Sequence, residues 1–383
     1  MKLTRRPFQL LVITLLLAAP CAAQFKPFYL GADISTLAQV ESRGGIYKDH
    51  GVQGDAIKIF MKHGWTCFRL RLWVNPRGGV NGLPYTVALA KRIKADGATF
   101  MLDLHYSDTW ADPQHQIKPA AWNKLAFDDL VQQSQDYTTD VLKTFKEADA
   151  LPDMVQIGNE ITGGMYWPDA QVKVPPSTVK VFAGDVTQIK PPEPYDDAVQ
   201  WARLIRVIKA NAAGVRAAMS PDDKVRIIIH IDCGGDWPVT KWYVDHLVDA
   251  NVDFDIIGQS YYPIYHGTLQ NLKDNLRETI NRYHKDVMVV ETGYPARRRE
   301  LTAAQAKNMV WPMTPEGQKQ FLADVIAAVK AAPDGHGIGV NYWHPESTII
   351  PGPTTRRVAD ANSLFNNEGN AQPAVSVLES AGQ

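Results

Sequence analysis

Two glutamates, each at the end of a short apolar run, are the residues whose type and position most clearly indicate chemistry. One run covers residues 154–160 and ends at Glu160; the other covers residues 286–291 and ends at Glu291. Two carboxylates delivered by two strand ends of one barrel are what a retaining glycosidase needs, because one transfers a proton and the other attacks the anomeric carbon. Asn159, directly before the first glutamate, can hold the neighbouring sugar hydroxyl. The pair predicts hydrolysis of glycosidic bonds.

The elements that must position these residues follow a strand-then-helix alternation, which calls for a parallel sheet. The strands that we predict are nearly continuous apolar runs at residues 29–34, 67–73, 99–105, 154–159, 225–232, 254–261, 286–291 and 337–343. The helices that we predict cover residues 55–63, 86–96, 128–148, 194–219, 241–250, 268–283 and 314–330. The pattern predicts the α/β class and a single (β/α)8 TIM barrel. An open doubly wound sheet is the alternative, but its usual glycine-rich first turn is absent from the sequence.

Two connections are longer than is usual for this architecture. Residues 163–192 follow the fourth predicted strand, and residues 344–373 follow the eighth. Loops after barrel strands lie on the catalytic face, so these enlarged loops are expected to shape the substrate cleft.

Polar and aromatic residues recur at the carboxyl ends of the predicted strands, the face that carries function in such barrels. The candidates for substrate binding are Asp33, Arg71, His105, Trp110, Asn159, His230, Asp232, Tyr261, Tyr262 and Trp343. Each has a simpler interpretation: an aspartate cap for the next helix, a hydrogen-bonded core histidine, or a packed tryptophan. Their coincidence at one end of nearly every strand favours a shared cleft. Arg71 needs a carboxylate partner inside a barrel, and Glu291 is the expected one, which would keep that carboxylate ionised.

Other catalytic chemistries are less well supported by the sequence. His105, His230 and His344 could converge, but neither a His-x-His end of the first strand nor a His-Glu-x-x-His motif occurs, so no metal site is predicted. A Gly-x-Ser-x-Gly elbow for a nucleophilic serine is also missing. We expect a reaction that requires no cofactor.

The net charge and the N-terminal residues limit the possible partners and the cellular location of the protein. The chain has 383 residues, a formal net charge of -1 and no basic blocks, which argues against nucleic acid or an anionic membrane as partner. Residues 1–23 combine cations, an apolar run and small residues, the order of a signal peptide, so residues 24–383 are predicted as one hydrolase domain that is secreted, periplasmic or on the cell surface. Cys21 is an alternative site of lipid attachment, although Pro20 before it fits that processing poorly. We expect a monomer.

The two remaining cysteines, Cys67 and Cys233, fall in the second and fifth predicted strands, on far sides of a barrel. They are therefore expected to be buried thiols that form no disulfide.

Seven short stretches stand out along the chain: GADIS at 31–35, FRLRLW at 68–73, HYSDTWADP at 105–113, GNEI at 158–161, HID at 230–232, SYYP at 260–263 and VVET at 289–292. Together they resemble the arabinogalactan endo-β-1,4-galactanases of glycoside hydrolase family 53. The stretch at 105–113 is highly specific, whereas Gly-Asn-Glu alone would indicate only the wider clan of retaining barrel glycosidases. The resemblance covers nearly the whole chain after the signal peptide.

This resemblance implies a (β/α)8 barrel that cleaves internal β-1,4-galactosidic bonds of pectic galactan and type I arabinogalactan with retention. It makes Glu160 the acid/base and Glu291 the nucleophile. The groups that orient the nucleophile or the central sugar would be Arg71, His105, Asn159, Tyr262 and Trp343.

The sequence departs from the family pattern at a few positions. His344 follows Trp343 where glutamate is more common, Cys233 stands where asparagine is common, and the 163–192 loop is altered. These changes leave the chemistry in place but leave the outer subsites and product length open. Some bacterial members hold a calcium ion between the seventh and eighth loops; no oxygen-ligand cluster for it is evident, so that ion is undecided.

Two alternative functions remain open at this point. One is a related barrel endo-glycanase with a different β-linked substrate; the other is a non-catalytic glycan-binding surface protein. The presence of both Glu160 and Glu291 argues against the second, because binding alone does not require two carboxylates.

Overall fold

The computed structural model describes residues 26–179, 189–350 and 359–380. Its barrel strands are β1 (Tyr29–Asp33), β2 (Cys67–Leu72), β3 (Thr99–Leu104), β4 (Met154–Ile157), β5 (Arg226–Ile231), β6 (Ile256–Tyr261), β7 (Asp286–Thr292) and β8 (Gly337–Trp343). All pair in parallel with their neighbours along the chain, and β8 pairs with β1 to close the barrel. The predicted (β/α)8 architecture is confirmed.

The helices are α1 (Leu37–Ser42), α2 (Ala56–Lys62), α3 (Leu83–Ala95), α4 (Phe127–Glu147), α5 (Asp197–Ala217), α6 (Trp237–Asp249), α7 (Pro263–His266), α8 (Leu269–Tyr283), α9 (Ala303–Asn308) and α10 (Pro315–Lys330). The seven long ones coincide with the predicted helices to within a few residues. The prediction missed α1, α7 and α9, because helices of six residues or fewer show too little periodicity.

Boundaries differ where a local cap outweighs the apolar pattern. The predicted helix 241–250 begins earlier, at Trp237, because the Asp236 side chain accepts a hydrogen bond from the Val239 backbone N–H and Pro238 lies in the first turn. The prediction also extended β4 to Asn159, whereas the strand ends at Ile157. Gly158 has a φ of 74°, which an extended strand cannot continue. The residues that carry the chemistry here lie in the turn after the strand.

The barrel interior is divided into an apolar lower part and a polar upper part. The lower part is a separate buried cluster of Cys67, Met101, Met154, Ile228, Ile256, Met288, Val290 and Ile338. Inward-facing residues nearer the carboxyl ends of the strands are polar and almost fully buried, and they include Asp33, Arg69, Asp103, Gln156, His230 and Ser260. Because buried polar groups need partners, this upper layer forms a connected network beneath the functional face.

The long connections contain short elements of their own. The connection after β4 forms a 3₁₀ turn at Ile161–Gly163 and a hairpin of Gly164–Met165 with Ala170–Gln171. A second hairpin pairs Tyr47–Asp49 with Val52–Gly54. The remaining 3₁₀ segments are Ala120–Trp122, Pro333–Gly335 and Pro373–Ser380. Parts of both enlarged loops, residues 180–188 and 351–358, lie outside the described residues.

The cysteine prediction is confirmed, since Cys67 and Cys233 are both buried thiols and no disulfide joins them. The predicted signal peptide at residues 1–23 and the alternative lipidation site Cys21 lie outside the described residues. Over the ranges that the structure describes, none of the helices combines the length and apolar character needed to cross a membrane.

Candidate active site

A cleft of about 630 Å³ opens at the carboxyl ends of the barrel strands, and both predicted catalytic glutamates line it. Seven of the ten predicted substrate-binding residues also line it: Arg71, His105, Trp110, Asn159, Asp232, Tyr262 and Trp343. Asp33 and His230 have no exposed surface and lie among the buried polar residues beneath the cleft. Tyr261 is also without exposed surface, and its ring stacks against that of Phe321 in α10. These three residues are not part of the cleft lining, and direct contact of each with a sugar stays a prediction.

Glu160 lies in the turn after β4 and is fixed by a chain of polar groups. Its carboxylate Oε1 accepts a hydrogen bond from the Ser260 hydroxyl at 2.6 Å, and that hydroxyl lies 2.8 Å from Nε2 of His230. The Glu160 backbone N–H donates to Nδ1 of the same ring at 3.3 Å. Burial holds the pKa of His230 well below its usual value, so the ring is neutral. The His230 ring thus connects the backbone of Glu160, at Nδ1, to the Glu160 carboxylate through Ser260, and Nδ1 also lies 3.0 Å from Oδ1 of Asn159.

The backbone of Glu160 is strained. Its φ of 50° and ψ of 49° place it in the left-handed region, which costs a residue with a side chain about 1–2 kcal/mol. Such conformations persist where neighbouring contacts hold them, and they cluster at functional sites. The strain turns the carboxylate out of the strand direction and toward the cleft.

Glu291 lies near the end of β7 and contacts a cation and a phenol. Nη1 of Arg69 lies 2.9 Å from Oε1 of Glu291, and the Tyr262 hydroxyl donates to Oε2 at 3.2 Å. Burial raises the pKa of Glu291 to about 7, and the Arg69 guanidinium opposes that shift. Burial also raises the pKa of Tyr262 well above its usual value, so its hydroxyl keeps the proton that it donates. A cation beside Glu291 thus acts in the expected direction and lowers the pKa, but burial raises it by more.

The predicted pairing of Arg71 with Glu291 is wrong, because Arg69 occupies that position. Nη1 of Arg69 also lies 2.7 Å from Oδ2 of Asp33, and Nη2 lies 2.9 Å from Oδ2 of Asp103. Both arginines face inward from β2, but Arg69 is deeper, at the level of the buried carboxylates. Arg71 is closer to the cleft, with its guanidinium 4.2 Å from the centroid of the Trp110 ring.

Aromatic side chains line one side of the cleft. Trp110 is 40% exposed, and its ring centroid lies 5.3 Å from that of Trp73 and 6.3 Å from that of Trp343. Exposed aromatic faces of this kind stack against sugar rings. His105 is held below them, with Nδ1 accepting from the Ala111 backbone N–H at 3.0 Å and Nε2 lying 2.9 Å from Asp103. With both ring nitrogens engaged, His105 fixes the loop that carries Trp110.

The sequence reasoning assigned no role in the site to four residues that belong to its hydrogen-bond and ion-pair network: Arg69, Asp103, Gln156 and Ser260. The two-residue period of the strands could have indicated Arg69 and Asp103. These residues face the barrel interior, as Arg71 and His105 on the same predicted strands do. The interpretation stopped at residues close to the strand ends and did not follow that period one step deeper.

The histidines of the site are also the candidates for metal binding. Over the ranges that the structure describes, no group of three or more His, Cys, Asp and Glu side chains could hold a metal ion. His230 is engaged with Ser260, and His344 lies 3.1 Å from the Thr36 hydroxyl, so the two histidines serve different contacts.

Comparison with known proteins adds to this geometry. The family model described as glycosyl hydrolase family 53 matches residues 29–378. A protein of Niallia circulans, named only as an uncharacterized protein in the bgaB 5′ region, is 41% identical over 92% of this chain and 93% of its own length. The arabinogalactan endo-beta-1,4-galactanase of Thermothelomyces thermophilus is 32% identical over 92% of this chain and 98% of its own.

A solved structure agrees with these sequence matches. The GH53 catalytic domain of Ignisphaera aggregans superposes with a TM-score of 0.78 at 30% identity, covering 91% of this chain and 95% of that one. The family model spans the whole barrel, including both glutamates and the loops around the cleft. The chain therefore belongs to glycosyl hydrolase family 53.

Proposed function

We propose that the protein is an endo-acting retaining hydrolase of internal β-1,4-galactosidic bonds in pectic galactan and type I arabinogalactan. The observation that carries this proposal is the presence of two differently held carboxylates in one cleft. Glu160 is bonded to a neutral hydroxyl, and Glu291 is bonded to a cation and a phenol. The name of the Thermothelomyces thermophilus relative supports galactan as the substrate.

The reaction follows from the two environments. Glu160 donates its proton to the leaving glycosidic oxygen while ionised Glu291 attacks the anomeric carbon and forms a glycosyl-enzyme. Glu160 then removes a proton from water, which displaces Glu291 and restores both groups. Arg69 and the Tyr262 hydroxyl stabilise the carboxylate form of Glu291 before attack and after release. No step needs a cofactor, and a structural calcium ion stays outside the proposal.

Product analysis on a panel of polysaccharides tests the proposal. Linear β-1,4-galactan should be cleaved to oligosaccharides with an early fall in viscosity, while mannan and xylan should be cleaved much more slowly. Proton NMR during the first turnovers should detect the β-anomer first, since double displacement retains configuration. Preferred cleavage of another β-linked glycan would support the related endo-glycanase. Binding without any cleavage would support the glycan-binding protein.

Export and oligomeric state form the rest of the proposal. The protein is proposed to lose residues 1–23 and to act as a monomer that is secreted, periplasmic or on the cell surface. N-terminal sequencing of the mature protein distinguishes cleavage before residue 24 from lipidation at Cys21, and light scattering gives the mass in solution.

The role of Arg69 leads to a pH prediction. Protonated Glu291 cannot attack, so kcat/KM should fall as the pH decreases through the pKa of Glu291, near 7. Arg69→Gln removes the cation that lowers this pKa, so the acid limb should move to higher pH. Arg69→Lys keeps the charge and should move the limb less. Initial rates across the pH range measure both shifts.

Folding must be checked for both Arg69 variants. Asp33 and Asp103 also depend on this cation, and removal of one partner of a buried ion pair costs about 3–5 kcal/mol of stability. Thermal melting therefore accompanies the rates. If folded Arg69→Gln and the wild-type protein lose kcat/KM over the same range of acidic pH, the role assigned to Arg69 is contradicted.

A further inference from the structure

Gln116 is a buried side chain that joins the loop after β3 to the turn that carries Glu160. It is 3% exposed. Its amide Nε2 lies 2.8 Å from the Asn159 carbonyl oxygen, 3.1 Å from that of Asp112 and 3.5 Å from that of Glu160. The residue is not part of the cleft lining.

All three neighbours of this amide are carbonyl oxygens, which only accept hydrogen bonds. A side chain at this position must therefore donate. Glutamine supplies two N–H groups, whereas ionised glutamate of the same shape would set its lone pairs against those carbonyls. Leucine would fill a similar volume and leave the carbonyls without a donor, at the cost of unsatisfied buried polar groups.

The turn that Gln116 contacts is the one that needs external support. Gly158 and Glu160 both have positive φ, 74° and 50°. The strand itself ends at Ile157, and one more backbone hydrogen bond to β3 follows it, from the Gly158 N–H to the Leu104 carbonyl oxygen at 3.0 Å. A second tie crosses the same gap, from the Asn159 Nδ2 to the Ala111 carbonyl oxygen at 2.8 Å. Gln116 and Asn159 thus connect the two loops through reciprocal hydrogen bonds, and the Gln116 amide contacts the backbone carbonyls on either side of the Glu160 Cα, at 2.8 and 3.5 Å.

We propose that Gln116 is a positioning residue that holds the backbone of Glu160 so that its carboxyl group reaches the leaving glycosidic oxygen. This inference deepens the proposed function and rests on Glu160 as the acid/base. Proton transfer depends steeply on the distance between the carboxyl group and the oxygen, so a small displacement of Glu160 weakens protonation of a poor leaving group. A leaving group that departs as a stable anion needs no proton and is insensitive to that displacement.

The test compares two substrates in Gln116→Glu and Gln116→Leu. On the β-linked glycan that the wild-type protein cleaves best, kcat/KM should fall about 10–100-fold, with KM little changed. On a dinitrophenyl β-glycoside of the same sugar chain, kcat/KM should fall less than about threefold, because this leaving group departs without protonation. Gln116→Leu should lose less than Gln116→Glu, since it adds no lone-pair repulsion.

Gln132→Glu is the matched control. Gln132 is exposed on α4 and bonds to Asp136 on the surface, so both rates should stay within about twofold of wild type. An equal loss on both substrates in folded Gln116 variants would mean a general structural role and overturn the proposal. Wild-type rates on both substrates would overturn it as well. Each rate is measured on the glycan that the wild-type protein cleaves best. If that glycan is not galactan, the proposed specificity is refuted, but the test of Gln116 remains valid.

Discussion

Glu291→Ala is expected to lower turnover on galactan by on the order of 10⁵-fold or more, because loss of a nucleophile removes the covalent route. The substitution shortens a side chain that is 6% exposed and removes the acceptor for Arg69 and the Tyr262 hydroxyl. The barrel should remain folded, since Arg69 keeps Asp33 and Asp103 as partners. Initial rates with purified protein and a thermal melt measure the two effects.

Azide identifies the role of the missing carboxylate. In Glu291→Ala, a small anion can occupy the space of the lost side chain and attack the anomeric carbon from that face. With a dinitrophenyl β-glycoside, the expected product is the α-glycosyl azide, formed with inversion. Formation of the β-azide, or rates on galactan close to wild type, would show that Glu291 is not the nucleophile. Glu291→Gln keeps the volume and serves as the folding control.

The barrel was predictable because its signals are local and repeated. Each of the eight strands is a short apolar run, and a helix follows each of the first seven before the next strand begins, so repeated local signals agree on one architecture. Glu160 and Glu291 could be selected for the same reason, since each ends such a run. Short helices such as α7, with four residues, carry too few positions for a period to be recognised.

The contacts between functional residues were harder to predict because they depend on depth within the barrel. Period two places Arg69 and Arg71 on the same face, but it does not say which one reaches Glu291. That choice depends on the neighbours of each arginine. Arg69 contacts Asp33 and Asp103 in the buried layer at 2.7 and 2.9 Å, whereas Arg71 lies 3.8 Å from Asp33 and packs over the Trp110 ring.

Contacts between loops were beyond sequence reasoning for a related reason. The bond from Gln116 to the Asn159 carbonyl joins residues 43 positions apart, in segments that have no regular period. The link from His230 through Ser260 to Glu160 likewise crosses three strand ends. Such networks become visible only when the barrel brings consecutive strand ends side by side.

Glu160→Ala is the second large effect that we expect, and it should depend on the leaving group. On galactan, kcat/KM should fall about 10²–10⁴-fold, the usual contribution of general acid catalysis, because the departing sugar oxygen needs a proton. On a dinitrophenyl β-glycoside the first step needs no proton and should proceed at near the wild-type kcat/KM. The second step should then be slow, since water loses its base, so kcat and KM should fall together.

Azide separates this variant from Glu291→Ala. Azide needs no base, and in Glu160→Ala it should attack the glycosyl-enzyme from the face that Glu160 occupied, so that the product is the β-glycosyl azide and kcat recovers. The opposite anomers from the two variants follow from carboxylates on opposite faces of one sugar.

Ser260→Ala is an informative companion to Glu160→Ala, because it removes the hydroxyl that donates to Glu160 Oε1 at 2.6 Å and leaves the carboxyl group in place. It should reduce the rate on galactan more than on the activated glycoside. An α-azide from Glu160→Ala, or equal losses on both substrates, would contradict the acid/base assignment.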